Sequence, residues 1–155
     1  MPSRGAFTED KRDELLYSTE EAGFFFGALA AARDRFGHVT RILSREYEIG
    51  PRGPWMVGLI GRRPISPHEL ARAFSIGRSL VTAELAQLQA ANLILYEKSA
   101  QDGRRIELSL TPTGQALRER LSRDLTSLLE QRLSGYSAEQ VMATARMLRD
   151  FAEGN

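Results

Sequence analysis

Apolar residues recur along the first third of the chain at spacings of three and four: Phe25, Leu29, Ala32, Phe36, Val39, Leu43 and Tyr47. That period predicts one apolar stripe on a helix of roughly eight turns. Ser18-Thr19-Glu20-Glu21 marks its start as a capping box, with Ser18 as cap and Glu21 reaching back. A helix of this length points to an extended packing partner. Gly50-Pro51-Arg52-Gly53-Pro54 ends it, because proline cannot continue a helix and disfavours helical backbone before it. A short apolar segment, Trp55 to Ile60, follows, and Gly61-Arg62-Arg63-Pro64 breaks the chain again.

Ser66-Pro67-His68-Glu69 is the sharpest helix start in the sequence: cap, first-turn proline and a capping-box glutamate. It opens a short helix with Leu70, Ala71 and Phe74. Ser75-Ile76-Gly77 predicts a tight turn, and Arg78 to Ala91 a second helix with Leu80, Val81, Leu85 and Leu88 inward. Asn92 suits a left-handed helix end. The period then changes to two. Leu93 to Glu97 predicts a strand, residues 99–103 a turn carrying Asp102-Gly103, and Ile106, Leu108 and Leu110 a second, half-buried strand. Thr111-Pro112 caps a helix with the stripe Leu117, Leu121, Leu125, Leu128 and Leu129. Ser137-Ala138-Glu139-Gln140 opens the last one, with Val141, Ala145, Leu148 and Phe151 on one face. The fold class is α+β, mostly helical. Two short helices joined by a tight turn and followed by a hairpin make a winged helix-turn-helix lobe with a two-stranded wing.

Composition narrows the chemistry. The 155 residues are 42% hydrophobic and 26% charged, ordinary globular values. No cysteine is present, which removes disulfides, thiolate metal sites and thiol redox switches. His38 and His68 are the two histidines, and no spacing suggests a metal site. No nucleophile–base pair and no glycine-rich phosphate loop stands out, so no catalytic machinery and no cofactor is expected. Met1 to Leu16 mixes acids and bases and does not look like a signal peptide, and no stretch is apolar enough to span a bilayer, so the expected compartment is the cytoplasm. Net charge is only +1, but residues 62–105 hold seven basic residues against four acidic ones, a local +3.

A helix of this kind fits the DNA major groove with its N-terminal residues facing base edges. Those residues are Arg78, Ser79 and Thr82. The hairpin tip carries Lys98, Gln101, Arg104 and Arg105, a basic finger suited to phosphates or a minor groove. Asp102 is expected to shape the turn, and Arg62 and Arg63 to lie on a solvated loop.

Asp102-Gly103-Arg104, then Leu108, Leu110-Thr111 and Gly114, reproduces the wing signature D-x-R-x-x-x-L-x-L-T-x-x-G, and here the sequence resembles the MarR-type transcription regulators. Glu69-Leu70-Ala71, Val81-Thr82 and Leu93-Ile94 look like that family's helix-turn-helix. The order of elements matches over roughly residues 18–152. The resemblance implies a homodimer that binds a palindromic double-stranded DNA operator, most simply as a repressor relieved by a small molecule. It implies an N-terminal arm at 1–17, dimerisation helices at 18–50 and 112–155, and a DNA-binding lobe at 51–111. Relatives of this kind bind small aromatic or carboxylate ligands between dimer helices and lobe. By that analogy Trp55 supplies a ring wall and His38, Arg41 and Arg45 a charged anchor. The chain departs from the family at Leu80 and Ala83, where a small polar and a basic residue are common, and at Asn92, which replaces a glycine. Two rivals stay open: a winged helix that binds proteins without DNA, and a small-molecule enzyme or carrier on a helical dimer.

Overall fold

The computed structural model describes residues 16–154, so the expected arm at 1–17 lies outside the described residues except for Leu16 and Tyr17. The chain divides into two units, one up to Arg35 and one from Phe36 onward. In the first, helix α1 (Thr19–Glu46) begins at the expected capping box. The Glu21 amide donates to Ser18 Oγ at 3.1 Å, and the Ser18 amide donates back to Glu21 at 2.8 Å. Phe24, Phe25 and Phe26 are exposed there, the last two meeting edge to face.

The second unit holds the lobe. The last turns of α1 bury Thr40, Leu43 and Ser44. Glu48 takes a left-handed backbone, φ 53°, and turns the chain into α2 (Gly53–Ile60). Gly53-Pro54, expected as a breaker, instead opens α2. Proline fits a first turn because its missing N–H has no intrahelical partner there. Helix α3 (Pro67–Ala73) carries the full Ser66–Glu69 capping box. In the turn after it, Ser75 rather than Gly77 takes the left-handed backbone, φ 51°. Gly77 is extended and caps α4 (Arg78–Ala90). The inward face of α4 is Val81, Glu84, Leu85 and Leu88; Leu80, expected inward, is exposed. Asn92 is left-handed, φ 55°, as its position suggested.

Strands β1 (Ile94–Lys98) and β2 (Ile106–Leu110) pair antiparallel, with Tyr96 opposite Leu108. Leu108 also bridges Ile65, which seats the wing on the segment that leads into the Ser66 cap of α3. Helix α5 (Pro112–Leu133) follows, then α6 (Ala138–Glu153) behind a Ser137–Gln140 capping box. The core gathers Leu43, Met56, Ile65, Leu70, Leu85, Leu88, Leu93, Leu108 and Leu117. Leu117 and Leu121 are part of it, so the first turns of α5 pack into the core of the lobe. Helix α6 buries none of its residues.

One joint ties α4, the wing and α5. Thr111 Oγ1 donates to the Asn92 carbonyl at 2.6 Å and accepts the Gly114 amide at 3.0 Å. The Thr111 amide donates to the Leu93 carbonyl at 3.1 Å. A Cβ at Gly114 would stand 2.0 Å from that same carbonyl oxygen, so this position admits only glycine without backbone movement. Gly114→Ala is expected to cost about 2–3 kcal/mol through overpacking. Thr111→Val, which orphans two backbone groups, is expected to cost about 2 kcal/mol. Urea unfolding of both variants checks this; midpoints equal to wild type would contradict it.

Candidate nucleic-acid interface

The first turn of α4 presents Arg78, Ser79 and Thr82 to solvent, opposite its buried face. Gly77 leaves the helix start without a side-chain cap. Thr82 Oγ1 donates to the Arg78 carbonyl at 2.8 Å, so its proton is committed and its lone pairs face outward as acceptors.

The wing tip is built by short polar contacts. Ser99 is buried, and its Oγ accepts the amides of Gln101 and Asp102 at 3.3 and 3.4 Å. Asp102 Oδ1 accepts the Arg104 amide at 3.0 Å. Asp102 therefore shapes the turn. Gln101 and Arg104 are exposed at its tip, and Lys98 at the end of β1. Arg78, Lys98 and Arg104 form no ion pair with any described residue. Arg105 differs: its guanidinium turns back to Glu69 at 3.8 Å, and Glu69 also holds Arg63 at 3.2 Å. Hydrogen bonds from Ser66 hold the Glu69 carboxyl well below its ordinary value of 4.5, at about 2, with Arg63 adding to the effect.

A cleft of about 440 Å³ opens on the other side of the lobe, between α2, the end of α3 and α5. Trp55, Leu59, Phe74, Leu121 and Leu125 give it apolar walls, and Arg62 and Arg118 contribute cations. Trp55 meets Phe36 edge to face, with ring centroids 5.9 Å apart. Arg118 lies across Gly61, where a Cβ would come within 2.2 Å of its Cδ. Of the four residues expected to form an effector site, Trp55 alone lines this cleft. His38, Arg41 and Arg45 are exposed on a stripe of α1 separate from the buried Thr40, Leu43 and Ser44. Arg118 was missed because it comes from α5, more than sixty residues along the chain; its spacing of three from Leu121 was the available signal.

A short helix, a turn, an exposed second helix and a basic two-stranded wing define a winged helix-turn-helix lobe. Residues 55–105, the stretch from α2 through the wing tip, match the model of the MarR family. It is 27% identical over 130 residues to the homoprotocatechuate degradative operon repressor of Escherichia coli, across 83% of this chain and 88% of that protein. Among solved structures, the fold is shared with Staphylococcus aureus MarR in complex with salicylate and kanamycin. The TM-score is 0.70 at 21% identity, over 87% of this chain and 92% of that one. It is shared also with Streptococcus pneumoniae FabT in complex with DNA, with TM-score 0.63 at 20% identity, over 83% and 95% of the two chains.

The depressed Glu69 carboxyl makes the seat of the wing pH-dependent. A lowered folded-state pKa contributes stability that is complete above the unfolded value and lost as pH falls through the folded one. The window runs from 4.5 down to about 2. Thermal unfolding across that range should show the wild type losing stability more steeply than Glu69→Gln, which has no proton to take up. Parallel curves for the two proteins would contradict the assignment.

Proposed function

We infer that this chain is a homodimeric, sequence-specific binder of double-stranded DNA that represses transcription and is released by a small aromatic carboxylic acid. The observation that carries this is the set of exposed cations at the start of α4 and on the wing, Arg78, Lys98 and Arg104, which meet no acidic partner among the described residues. Unpaired cations on a winged lobe are placed to neutralise phosphates. Arg78 can pair with guanine in bidentate fashion, Ser79 supplies a hydroxyl to a base or a phosphate, and Thr82, its proton held by the Arg78 carbonyl, offers an acceptor to a base donor. Gln101 and Arg104 reach the adjacent minor groove. Arg105 acts through the wing's position, since Glu69 holds it.

Dimerisation explains the apolar positions that α6 and α1 leave exposed. Helix α6 has a period-matched apolar stripe and no buried residue, and it exposes Met142 and Met147; α1 exposes Phe24. A second copy covers such faces. Two lobes then present two α4 helices to successive major grooves, about 34 Å apart. The repressor role and the ligand follow from the named relatives: an operon repressor, and a MarR structure that holds salicylate. Trp55 and Phe74 offer ring faces to such a ligand, and Arg62 and Arg118 offer its carboxylate a charge. Occupation of the cleft favours a state in which the spacing of the two α4 helices no longer fits DNA. No described helix is long and apolar enough to cross a membrane, and the function is exercised in the cytoplasm beside the DNA.

Duplexes selected from a random pool by the wild-type protein provide the DNA test. Arg104→Ala should weaken binding about tenfold and flatten the salt dependence by about one unit of slope. Retention of nothing from the pool at low salt by a folded dimer would favour a protein-binding role instead. For the cleft, salicylate should raise the unfolding midpoint of the wild type and leave that of Arg118→Met unchanged. Equal shifts in both would remove Arg118 from the ligand site.

A further inference from the structure

The inward face of α4 carries one residue that does not belong in a hydrophobic core. Val81, Leu85 and Leu88 are aliphatic, but Glu84 beside them is 5% exposed. Its Oε1 stands 3.4 Å from Arg52 Nη1, and Arg52 is itself 42% exposed. Its Oε2 is buried with no hydrogen-bond partner among the described residues. A buried carboxylate with a single ion pair stabilises a fold poorly, and an aliphatic residue of similar volume commonly does better. Glu84 therefore needs a reason other than stability.

Its surroundings supply one. The carboxylate abuts Gly50, where a Cβ would lie 2.2 Å from Oε2. Gly50 and Arg52 form the joint between α1 and α2. That joint is held firmly: Ser44 Oγ donates to the Gly50 carbonyl at 3.1 Å, the Gly53 amide donates to it at 2.9 Å, and Glu48 turns the chain with a positive φ. Glu84 thus braces the recognition helix against the point where the long helix enters the lobe.

We propose that Glu84 is a positioning residue for DNA readout, fixing the rotation of α4 through its contacts with Gly50 and Arg52 and linking that rotation to the α1–α2 joint. This rests on the DNA-binding reading above. Arg78, Ser79 and Thr82 project from the opposite face of the same helix, so a small rotation at Glu84 displaces all three together. Base contacts depend steeply on such geometry, whereas phosphate attraction tolerates it.

The test measures the affinity of the full chain for a selected duplex and for a scrambled one, with the unfolding midpoint, for the wild type, Glu84→Gln, Arg52→Gln and the double variant. Glu84→Gln keeps the shape and removes the charge. It should weaken the selected duplex about tenfold, leave the scrambled duplex within about twofold, and leave the midpoint unlowered. Arg52→Gln, at a half-exposed site, should act in the same direction, and the double variant should be no worse than Glu84→Gln alone. Wild-type discrimination in both single variants overturns the proposal. If Glu84→Gln loses both duplexes together with its folding midpoint, Arg52→Gln decides: wild-type discrimination there overturns the proposal, and a selective loss supports it. A wild type with no preference for any duplex is a different failure, because it overturns the DNA-binding reading itself.

Discussion

The Thr111 hydroxyl spans the end of one helix and the start of another: it donates to the Asn92 carbonyl and accepts the Gly114 amide. Between those two contacts lies the whole wing. Asn92, turned left-handed, lets α4 stop and β1 begin, and Gly114 makes room for the Leu93 carbonyl where any side chain would collide. The joint therefore fixes where the wing leaves the lobe relative to the recognition helix. It also draws the first turns of α5 into the core through Leu117 and Leu121. The leucine-threonine-glycine part of the wing signature has a steric and hydrogen-bonding cause, independent of DNA.

Function uses what that frame leaves outside. Around the helix-turn-helix and the wing, some cations are engaged by carboxylates and others are not. Arg52, Arg63 and Arg105 are engaged by Glu84 and Glu69, and they hold the recognition helix and the wing in place. Arg78, Lys98 and Arg104 are unengaged by described residues and remain available to an anion. Phe74 connects the cleft to the DNA-reading side, since it lines the cleft and directly precedes Ser75, the left-handed residue of the helix-turn-helix. On the proposed reading, a ligand in the cleft would sit against that turn.

Much of this was legible in the sequence because it is local. The Ser18, Ser66 and Ser137 capping boxes, the Thr111 cap and the left-handed Asn92 each depend on residues three or four apart, and each stands where expected. Failures came where local rules compete. Gly53-Pro54 reads equally as a break or as a helix start, and the burial of both residues against the core selects the start. The remaining misses are tertiary. Arg118 at the cleft, Glu69 beneath Arg105 and Glu84 against Gly50 meet partners set by packing, which no period or cap announces.

Hydroxyl-radical footprinting on a duplex selected by the wild-type protein tests the central claim most directly. The account predicts two protected half-sites related by a two-fold axis, centred about one helical turn apart, each flanked by minor-groove protection from a wing. A single protected stretch without two-fold symmetry, or uniform weak protection along the whole duplex, would contradict it.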